Sequence, residues 1–507
     1  MQDPLSAFLY SLVECDAPTP SADGSCPAGS IPDAGGCSAV PRSSPDWSLS
    51  AHCADKEHVV RTATQMRGGI QIAHQVLSIV ILLFAGPAAD SLGRRPILLA
   101  ALGCQVVFSG GLLAASLVGM SRVAALMVFL LLANAGCGAA TALFQPAASA
   151  MVADLSRGNE GLRGDGYAAL GVVANVSLIV GFAAMYPILK MHLTDYTPMW
   201  ATFVGLAVLA VAVNACVLQE TMPPPESEEP AARPPQSGCR GTLAKLLGGF
   251  NVVRVDPFLR VFVVIYSVAT MSVMGSLLLL SPYQVTVLQY GNAKASICGM
   301  VLPVLGTIAS AGASPLIRRC GVSELLFAVL LAAAGGLAVM GGGAAAGARA
   351  REAMFWIGVA VAAFSWNLIQ PCLKTILSTR VALEHQGNVF AFVHLTTAIL
   401  QISVGLLWPE VLFDPDAGGA RCGAGFLATA FVLCLCALAL WVASSMTKAK
   451  AEHAESSDGD SDERLPSEPR ATKRTEPIVE EPAVQPPTMS QCPRRSASGE
   501  EAAAEQV

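Results

Sequence analysis

The sequence predicts an all-α membrane protein made of two related halves, each built on a plan of six helices. Composition gives the first indication, because 53% of the 507 residues are hydrophobic and only 13% are charged, with a mean hydropathy of +0.54. A soluble globular chain is far less apolar than this. The second indication is a series of long apolar runs. The third is an internal repeat that relates the runs of one half to those of the other.

Eleven apolar runs follow one another after residue 66. A helix needs roughly 20 apolar residues to cross the hydrocarbon core of a bilayer, and most of the runs approach or exceed this length. They cover residues 69–85, 97–119, 123–152, 167–189, 199–218, 258–280, 296–316, 325–340, 353–377, 389–407 and 423–444. A shorter apolar stretch at 1–13 is interpreted as a truncated first helix, which brings the plan to twelve.

The segments outside these runs are polar and rich in Pro, Ser, Gly or Glu, a composition that does not bury a core. We therefore expect six parts along the chain. They are the truncated helix 1 at 1–13, a cysteine-containing exoplasmic loop at 14–66, an N-terminal half with helices 2–6 at 67–218, a cytoplasmic linker at 219–256, a C-terminal half with helices 7–12 at 257–446, and a disordered cytoplasmic tail at 447–507.

The internal repeat is visible as two short strings that occur once in each half. An arginine pair at 94–95 recurs at 318–319, and a Gln-Pro pair at 145–146 recurs at 370–371. The strings begin 51 residues apart in the first half and 52 residues apart in the second. Agreement within one residue indicates two copies of one structural unit, an arrangement typical of secondary transporters.

The turn between the first two runs, residues 86–96, carries the most specific motif. Its two arginines assign it to the cytoplasmic side of the membrane. The turn resembles the loop between helices 2 and 3 of the major facilitator superfamily, whose pattern is Gly-x-x-x-Asp-x-x-Gly-Arg-Arg or Lys. The resemblance implies the major facilitator fold and a charge cluster that latches the two halves together. The expected latch residues are Gly86, Asp90, Gly93, Arg94, Arg95 and Asp154.

The run 353–377 is the best candidate for binding substrate. Positions 366, 370 and 374 follow the i, i+4, i+8 spacing of one helix face, so an aromatic ring, two amides and an ammonium lie together. Polar groups at membrane depth usually face a cavity or a partner. Alternatively, Lys374 snorkels to the cytoplasmic surface, since it lies six residues before Arg380. With the repeat mate of Gln370 included, the candidate substrate-binding residues are Gln145, Trp366, Asn367, Gln370 and Lys374.

A narrower resemblance suggests the kind of substrate. Residues 370–374 and 383–391 are similar to the end of helix 10 and the start of helix 11 in the proton-coupled folate transporter family, although His385 interrupts its Glu-Gln pair. The resemblance implies an anionic substrate and proton coupling. His74 and His394 are then the candidates for proton coupling, because histidine titrates near neutral pH. Each histidine is equally explained as an interhelical hydrogen-bonding residue.

Four of the fifteen cysteines cluster in the exoplasmic loop, where oxidising conditions favour disulfides. Four cysteines allow three connectivities. A metal site is the alternative, but spacings of about ten residues do not fit the ligand spacing of zinc sites, so we expect no metal and no cofactor. The disulfide candidates are Cys15, Cys26, Cys37 and Cys53.

These features together predict a secondary active transporter that moves a small organic solute, anionic and proton-coupled, by alternating access. The chain has no nucleotide-binding Gly-rich motif and no basic, aromatic-interleaved patch for nucleic acid, so an ATP-driven pump, an enzyme and a nucleic-acid-binding protein are disfavoured. We expect a monomeric multi-pass protein of the plasma membrane or an endomembrane. Two alternatives stay open: a non-transporting receptor or sensor on a transporter scaffold, and a drug–proton antiporter, such as one of the tetracycline-resistance-like branch.

Overall fold

The computed structural model describes residues 30–33, 36–39, 56–118, 123–156, 160–191, 197–221, 250–290, 292–381, 383–408 and 423–459. The chain divides into two units, Met1–Lys450 and Ala451–Val507. The predicted helix at 1–13 and three of the four loop cysteines lie outside the described residues. Cys37 is described only as part of a strand, so the predicted disulfides stay predictions.

The described part of the chain folds into eleven helices and one small hairpin. The hairpin pairs β1 (Ser30–Asp33) antiparallel with β2 (Gly36–Ala39), so that Ser30 lies opposite Ala39. The helices are α1 (Lys56–Leu92), α2 (Arg94–Val118), α3 (Val123–Leu155), α4 (Glu160–Met191), α5 (Thr197–Val217), α6 (Pro257–Thr286), α7 (Asn292–Cys320), α8 (Val322–Gly343), α9 (Ala348–Arg380), α10 (Leu383–Leu407) and α11 (Ala424–Gly459).

Each predicted apolar run corresponds to one of these helices. Within the described residues, ten helices are long and apolar enough to cross a membrane. Two helices extend beyond the expected boundaries. The first, α1, begins at Lys56, inside the segment expected to be loop, and α11 continues to Gly459, beyond the expected start of the tail. Both extensions are polar but contain Ala, Lys and Glu, which favour helix without needing a buried face.

Contacts between the halves follow the internal repeat. The N-terminal half contacts the C-terminal half mainly where α1 meets α10 and where α4 meets α7, with further contacts of α4 with α9 and of α3 with α10. In the repeat, α1 corresponds to α7, α3 to α9 and α4 to α10. The α1–α10 contact is therefore the image of the α7–α4 contact, and the α3–α10 contact is the image of the α9–α4 contact. The described interface thus has the pseudo-twofold arrangement predicted from the repeated strings.

Small residues and amides bring α1 and α10 together at several levels. A Cβ placed on Gly405 of α10 would lie 2.9 Å from the carbonyl oxygen of Gly68 on α1. Further along the pair, Gln75 Nε2 donates to Gln401 Oε1 at 2.6 Å, and both side chains are buried. Glycine and amide contacts of this kind are how helices associate in lipid, where the hydrophobic effect does not drive them together.

Within the C-terminal half, α8 and α9 approach so closely that their backbones touch at two glycines. A Cβ on Gly336 of α8 would lie 2.8 Å from both the amide nitrogen of Ala362 and the carbonyl oxygen of Gly358 on α9. A Cβ on Gly358 would in turn lie 2.5 Å from the Gly336 carbonyl oxygen. This contact leaves no room for a side chain, and it holds α9 against α8.

Gly336→Val should therefore destabilise the protein. Overpacking a tight contact costs about 1–3 kcal/mol, and the backbone atoms that surround Gly336 cannot rotate away. Thermal unfolding of the purified protein in detergent measures the effect. A Cβ on the neighbouring Gly335 would meet no described atom within 4 Å, so Gly335→Val is the matched control. Equal unfolding temperatures for the two variants would contradict this account of the contact.

Candidate functional site

The turn between α1 and α2 is a single residue, Gly93, with a φ of 97°. The arginines expected in the loop instead begin α2. The backbone N–H groups of Arg94 and Arg95 each donate to one carboxylate oxygen of Glu220 at 3.0 Å. A carboxylate at a helix N-terminus satisfies unpaired donors and is favoured by the helix dipole. A Cβ on Gly93 would overlap the Glu220 carboxylate, so glycine is required here for two reasons.

The side chains of Arg94 and Arg95 contact other helices of the N-terminal half. Arg94 Nε lies 3.6 Å from Asp154 Oδ2 at the end of α3, and only 12% and 13% of the two side chains are exposed. Arg95 Nη2 donates to the carbonyl oxygen of Ala215 on α5 at 2.6 Å. The turn therefore ties α2 to α3 and α5. The start of the linker is held at the same turn, because Glu220 lies shortly after the end of α5 and binds the start of α2.

The end of α1 also reaches the other half. A Cβ on Gly86 would lie 3.3 Å from Ala391 Cβ and 3.9 Å from the carbonyl oxygen of Gly387, both in the first turns of α10. Asp90 follows Gly86 by one helical turn in α1, and its side chain lies outside the described part of the structure. The latch that Asp90 is expected to form with α10 stays a prediction, although α1 and α10 meet one turn earlier.

The corresponding turn of the second half forms an ion pair between the halves. Arg318 Nη2 on α7 lies 2.6 Å from Asp165 Oδ2 on α4, and the Ser314 hydroxyl donates to the other oxygen of the same carboxylate. Sequence reasoning missed Asp165. Its one available signal was an acidic residue close to the cytoplasmic start of a predicted helix, opposite a repeated arginine.

The second turn also differs in where its glycine lies. Gly321, with a φ of 83°, is the single residue between α7 and α8. The arginine pair 318–319 therefore ends α7, whereas the pair 94–95 begins α2. Position 317, which precedes the second arginine pair as Gly93 precedes the first, is an isoleucine. A β-branched residue does not adopt this left-handed conformation, so the helix continues to the next glycine.

Gly93→Ala should destabilise the protein and misplace the α1–α2 turn. The left-handed conformation costs a non-glycine residue about 1–2 kcal/mol, and the new methyl group must displace the Glu220 carboxylate. Thermal unfolding of the purified protein is the measurement. Gly103→Ala, in open space on α2, is the control and should be neutral or slightly stabilising. Unchanged stability of Gly93→Ala would show that Glu220 does not bind as described.

The predicted substrate-binding residues lie where the two halves face each other. Lys374 Nζ on α9 donates to Gln145 Oε1 on α3 at 3.2 Å, so one hydrogen bond joins the C-terminal half to the N-terminal half. Lys374 is half-buried. Its ammonium binds this neutral amide, and among the described residues the acidic side chains lie close to helix ends rather than beside it.

Gln370, one turn before Lys374, binds within its own half. Its Oε1 accepts from the Tyr266 hydroxyl at 3.1 Å, and its Nε2 donates to Thr270 Oγ1 at 3.2 Å, both on α6. The repeat mates Gln145 and Gln370 therefore differ in role, since only Gln145 reaches Lys374. Trp366, one turn further back, is buried, and its indole N–H has no partner within the described protein.

Asn367 forms a second link between the halves. Asn175 Nδ2 on α4 donates to Asn367 Oδ1 on α9 at 2.9 Å. Gly306 of α7 makes room for this pair, because a Cβ there would lie 2.5 Å from Asn175 Oδ1 and 2.8 Å from Asn367 Nδ2. Asn175 is a buried polar residue of a predicted membrane span. The structure adds that its partner is a predicted site residue.

The two histidines lie in different surroundings. The ring of His394 on α10 packs edge-on against Tyr266, with 6.3 Å between centroids, and its Nε2 is buried without a described hydrogen-bond partner. Tyr266 in turn binds Gln370, one turn before Lys374 on α9. His74 instead contacts the backbone of Asn134 where α1 meets α3. His394 thus belongs to the group around Lys374, and His74 does not.

The described residues form two repeat-related sets of helices, with glycine turns at one end and polar residues between the halves, an architecture typical of secondary transporters. A sequence model of the Major Facilitator Superfamily matches residues 62–405. The chain belongs to this superfamily of multi-pass membrane transporters, which are not enzymes. No protein of curated function matches the sequence. Among the described residues, no group of three or more His, Cys, Asp or Glu side chains is arranged to hold a metal ion.

Solved structures show the same fold. The human organic anion transporter MFSD10 (TETRAN) is 19% identical, with a TM-score of 0.58 over 76% of this chain and 85% of that one. The E. coli xylose transporter XylE, in a partially occluded inward-open conformation, is 16% identical, with a TM-score of 0.56 over 75% and 88% of the two chains. The E. coli fucose:proton symporter FucP is 14% identical, with a TM-score of 0.51 over 76% and 94%. At these identities the likeness establishes the fold alone.

Proposed function

We propose that this transporter carries a small organic anion, and that Lys374 binds the negative group of the substrate. The observation that carries the proposal is the Lys374–Gln145 hydrogen bond, in which an ammonium between the halves has a neutral partner. Holding a lysine in the hydrocarbon region costs a few kcal/mol unless a partner or water compensates it. A carboxylate would add the attraction between two opposite charges, which the neutral amide does not supply.

The position of Gln145 supports a mechanism for substrate entry. Its amide lies where the anion would bind, and it belongs to α3 while Lys374 belongs to α9. An arriving anion displaces the amide oxygen and takes over the bond to Lys374. Substrate binding therefore exchanges a direct link between the halves for one that passes through the substrate. Alternating access requires the two halves to rock about such a site.

The contacts at the other end of the bundle fit the same mechanism. The Arg318–Asp165 ion pair and the packing of Gly86 on α10 join the halves on the side assigned to the cytoplasm. Both must break for the site to open to that side. We infer that they serve as the closed cytoplasmic gate, with Gly86, Asp90, Gly93, Arg94, Arg95 and Asp154 holding the shape of its first-half component.

We further propose that His394 couples transport to protons. Its ring touches Tyr266, which binds Gln370, so a change of charge on His394 is felt through a short chain of contacts at the substrate site. A protonated His394 would add a second positive charge near Lys374 and strengthen the attraction for an anion. The substrate and the proton would then bind cooperatively, as symport requires.

Two other functions predict different results in the same assay. A receptor or sensor would bind the anion without moving it. A drug–proton antiporter would prefer cations. A Gly-Pro pair in the fifth helix is typical of that group, and residues 181–182 of this chain are Gly-Phe instead. MFSD10 is an organic anion transporter, which agrees with this proposal, but the proposal for this chain rests on the surroundings of Lys374.

Lys374→Gln should abolish anion selectivity. Uptake into proteoliposomes would be measured for acetate, benzoate, succinate and citrate, with benzamide and benzylamine as neutral and cationic controls. For the preferred anion, loss of the charge should lower uptake efficiency about tenfold or more, because hydrogen bonds to charged groups contribute about 1.5–3 kcal/mol. Lys374→Arg should keep part of the activity. If Lys374→Gln takes up the anion as fast as the wild type at equal protein density, Lys374 only snorkels to the membrane surface.

His394→Asn should remove the pH dependence of uptake. In the wild type, uptake of the preferred anion should rise as the external pH is lowered from neutral into the acidic range, because His394 gains its proton together with the anion. The variant should give a flat profile over this range. His74→Asn is the matched control and should keep the rise, since His74 lies at the α1–α3 contact. A flat profile for His74→Asn and a normal one for His394→Asn would reverse the assignment.

A further inference from the structure

A second polar cluster lies on α9 one helical turn beyond Lys374, towards the cytoplasmic end. Its centre is the carbonyl oxygen of Ser378, which accepts from Arg163 Nη1 on α4 at 3.0 Å and from Gln386 Nε2 on α10 at 2.8 Å. Tyr167, one turn after Arg163 on α4, lies beside Ser378. One residue of α9 thus gathers side chains from both halves of the transporter.

The cluster extends to two further residues that carry hydroxyl groups, Ser149 on α3 and Thr375 on α9. The Tyr167 hydroxyl donates to the carbonyl oxygen of Ser149 on α3 at 3.4 Å, and Ser378 Oγ donates to the carbonyl oxygen of Thr375 at 3.0 Å. Thr375 directly follows Lys374 in the sequence. A helix rises 1.5 Å per residue, so the cluster begins within about 6 Å of the Lys374 level.

Four side chains of this cluster are more than nine-tenths buried and still have an atom without a hydrogen-bond partner in the described protein. Arg163 is 9% exposed, and the other three are 4% exposed or less. Buried polar atoms are almost always satisfied, so several together indicate a site that binds something. The unpartnered atoms are Arg163 Nε, Thr375 Oγ1, Ser149 Oγ and Gln386 Oε1.

The charge of the cluster defines what it can bind. Arg163 brings a full positive charge, and its described hydrogen bond goes to a carbonyl rather than to a carboxylate. A guanidinium with an unused N–H, next to two hydroxyl groups that can donate, matches the oxygens of a small anion. A cation would be repelled at the same place.

We propose that Arg163, Thr375 and Ser149 form a second anion-binding station, on the side of Lys374 assigned to the cytoplasm. The proposal rests on the proposed anion transport. The station receives the carboxylate of the substrate as it passes between Lys374 and the cytoplasm, or a small inorganic anion of the same chemistry. Arg163 would leave the Ser378 carbonyl for this anion, so occupation of the station also releases a contact between α4 and α9.

The test measures anion-dependent thermal stabilisation of the purified full-length protein. Sodium acetate, benzoate, succinate and citrate are compared with sodium chloride at equal ionic strength, in the wild type and in Lys374→Gln. With the Lys374 site removed, stabilisation should persist at weakened affinity, and adding Arg163→Gln should weaken the remaining affinity about tenfold or more. Arg260→Gln, which removes an exposed arginine from the same end of the bundle, should change nothing in that background.

Comparing the anions distinguishes the two possible ligands of the station, the carboxylate of the substrate and a small inorganic anion. Arg163-dependent stabilisation by carboxylates alone identifies the substrate group, and the same effect with chloride identifies an inorganic anion. If Arg163→Gln fails to fold, Arg163→Lys should retain binding and Thr375→Val should weaken it without changing the charge. An anion response that none of these substitutions alters would overturn the station. Identical responses of Lys374→Gln and the wild type would instead contradict the proposed role of Lys374, whatever Arg163 does.

Discussion

The arrangement between the two halves depends on one ammonium group in an apolar interior. Lys374 lies between α3 and α9, and its hydrogen bond goes to the neutral amide of Gln145. A carboxylate from a neighbouring helix would neutralise it permanently and leave no attraction for a ligand. An amide satisfies one N–H without cancelling the charge, so the site keeps its electrostatic attraction. In the proposed mechanism, the same side chain carries the binding step and the link between the halves.

Glycine turns make this arrangement possible at the end of the bundle assigned to the cytoplasm. Gly93 and Gly321 each connect two long helices through a single left-handed residue, so both helix pairs reverse direction without a loop. The short connections keep charged groups at fixed places. Glu220 binds the start of α2, and Asp165 meets Arg318 across the halves. A longer loop at either turn would let these partners separate and would weaken the coupling between the halves.

Much of the fold was predictable because its signals are local or periodic. Long apolar runs follow from the thickness of the bilayer, and the repeated arginine and Gln-Pro pairs predicted the pseudo-twofold contacts. The Gly-x-x-x-Asp-x-x-Gly-Arg-Arg motif predicted where α1 turns into α2. The spacing of residues 366 to 374 also grouped side chains that do lie on one helix, α9.

The missed residues all act over long distances in the sequence. Asp165 pairs with Arg318, which is 153 positions away, and Arg163 binds Ser378, which is 215 positions away. Glu220 lies within the predicted linker at 219–256, because no local pattern shows that a carboxylate caps a helix 126 positions earlier. The repeat predicted which helices meet. It did not predict these partners, since the two halves have diverged in where their charges lie: the arginine pair begins α2 in the first half and ends α7 in the second.

The central claim is that the sign of the charge at position 374 selects the substrate, and charge reversal tests it most directly. Equilibrium binding of radiolabelled benzoate and benzylamine to purified wild type and Lys374→Glu would be measured, with unfolding temperature as the control for folding. The account predicts that the wild type binds benzoate and that Lys374→Glu loses benzoate and gains benzylamine. A folded Lys374→Glu that binds benzoate as well as the wild type does would contradict the account.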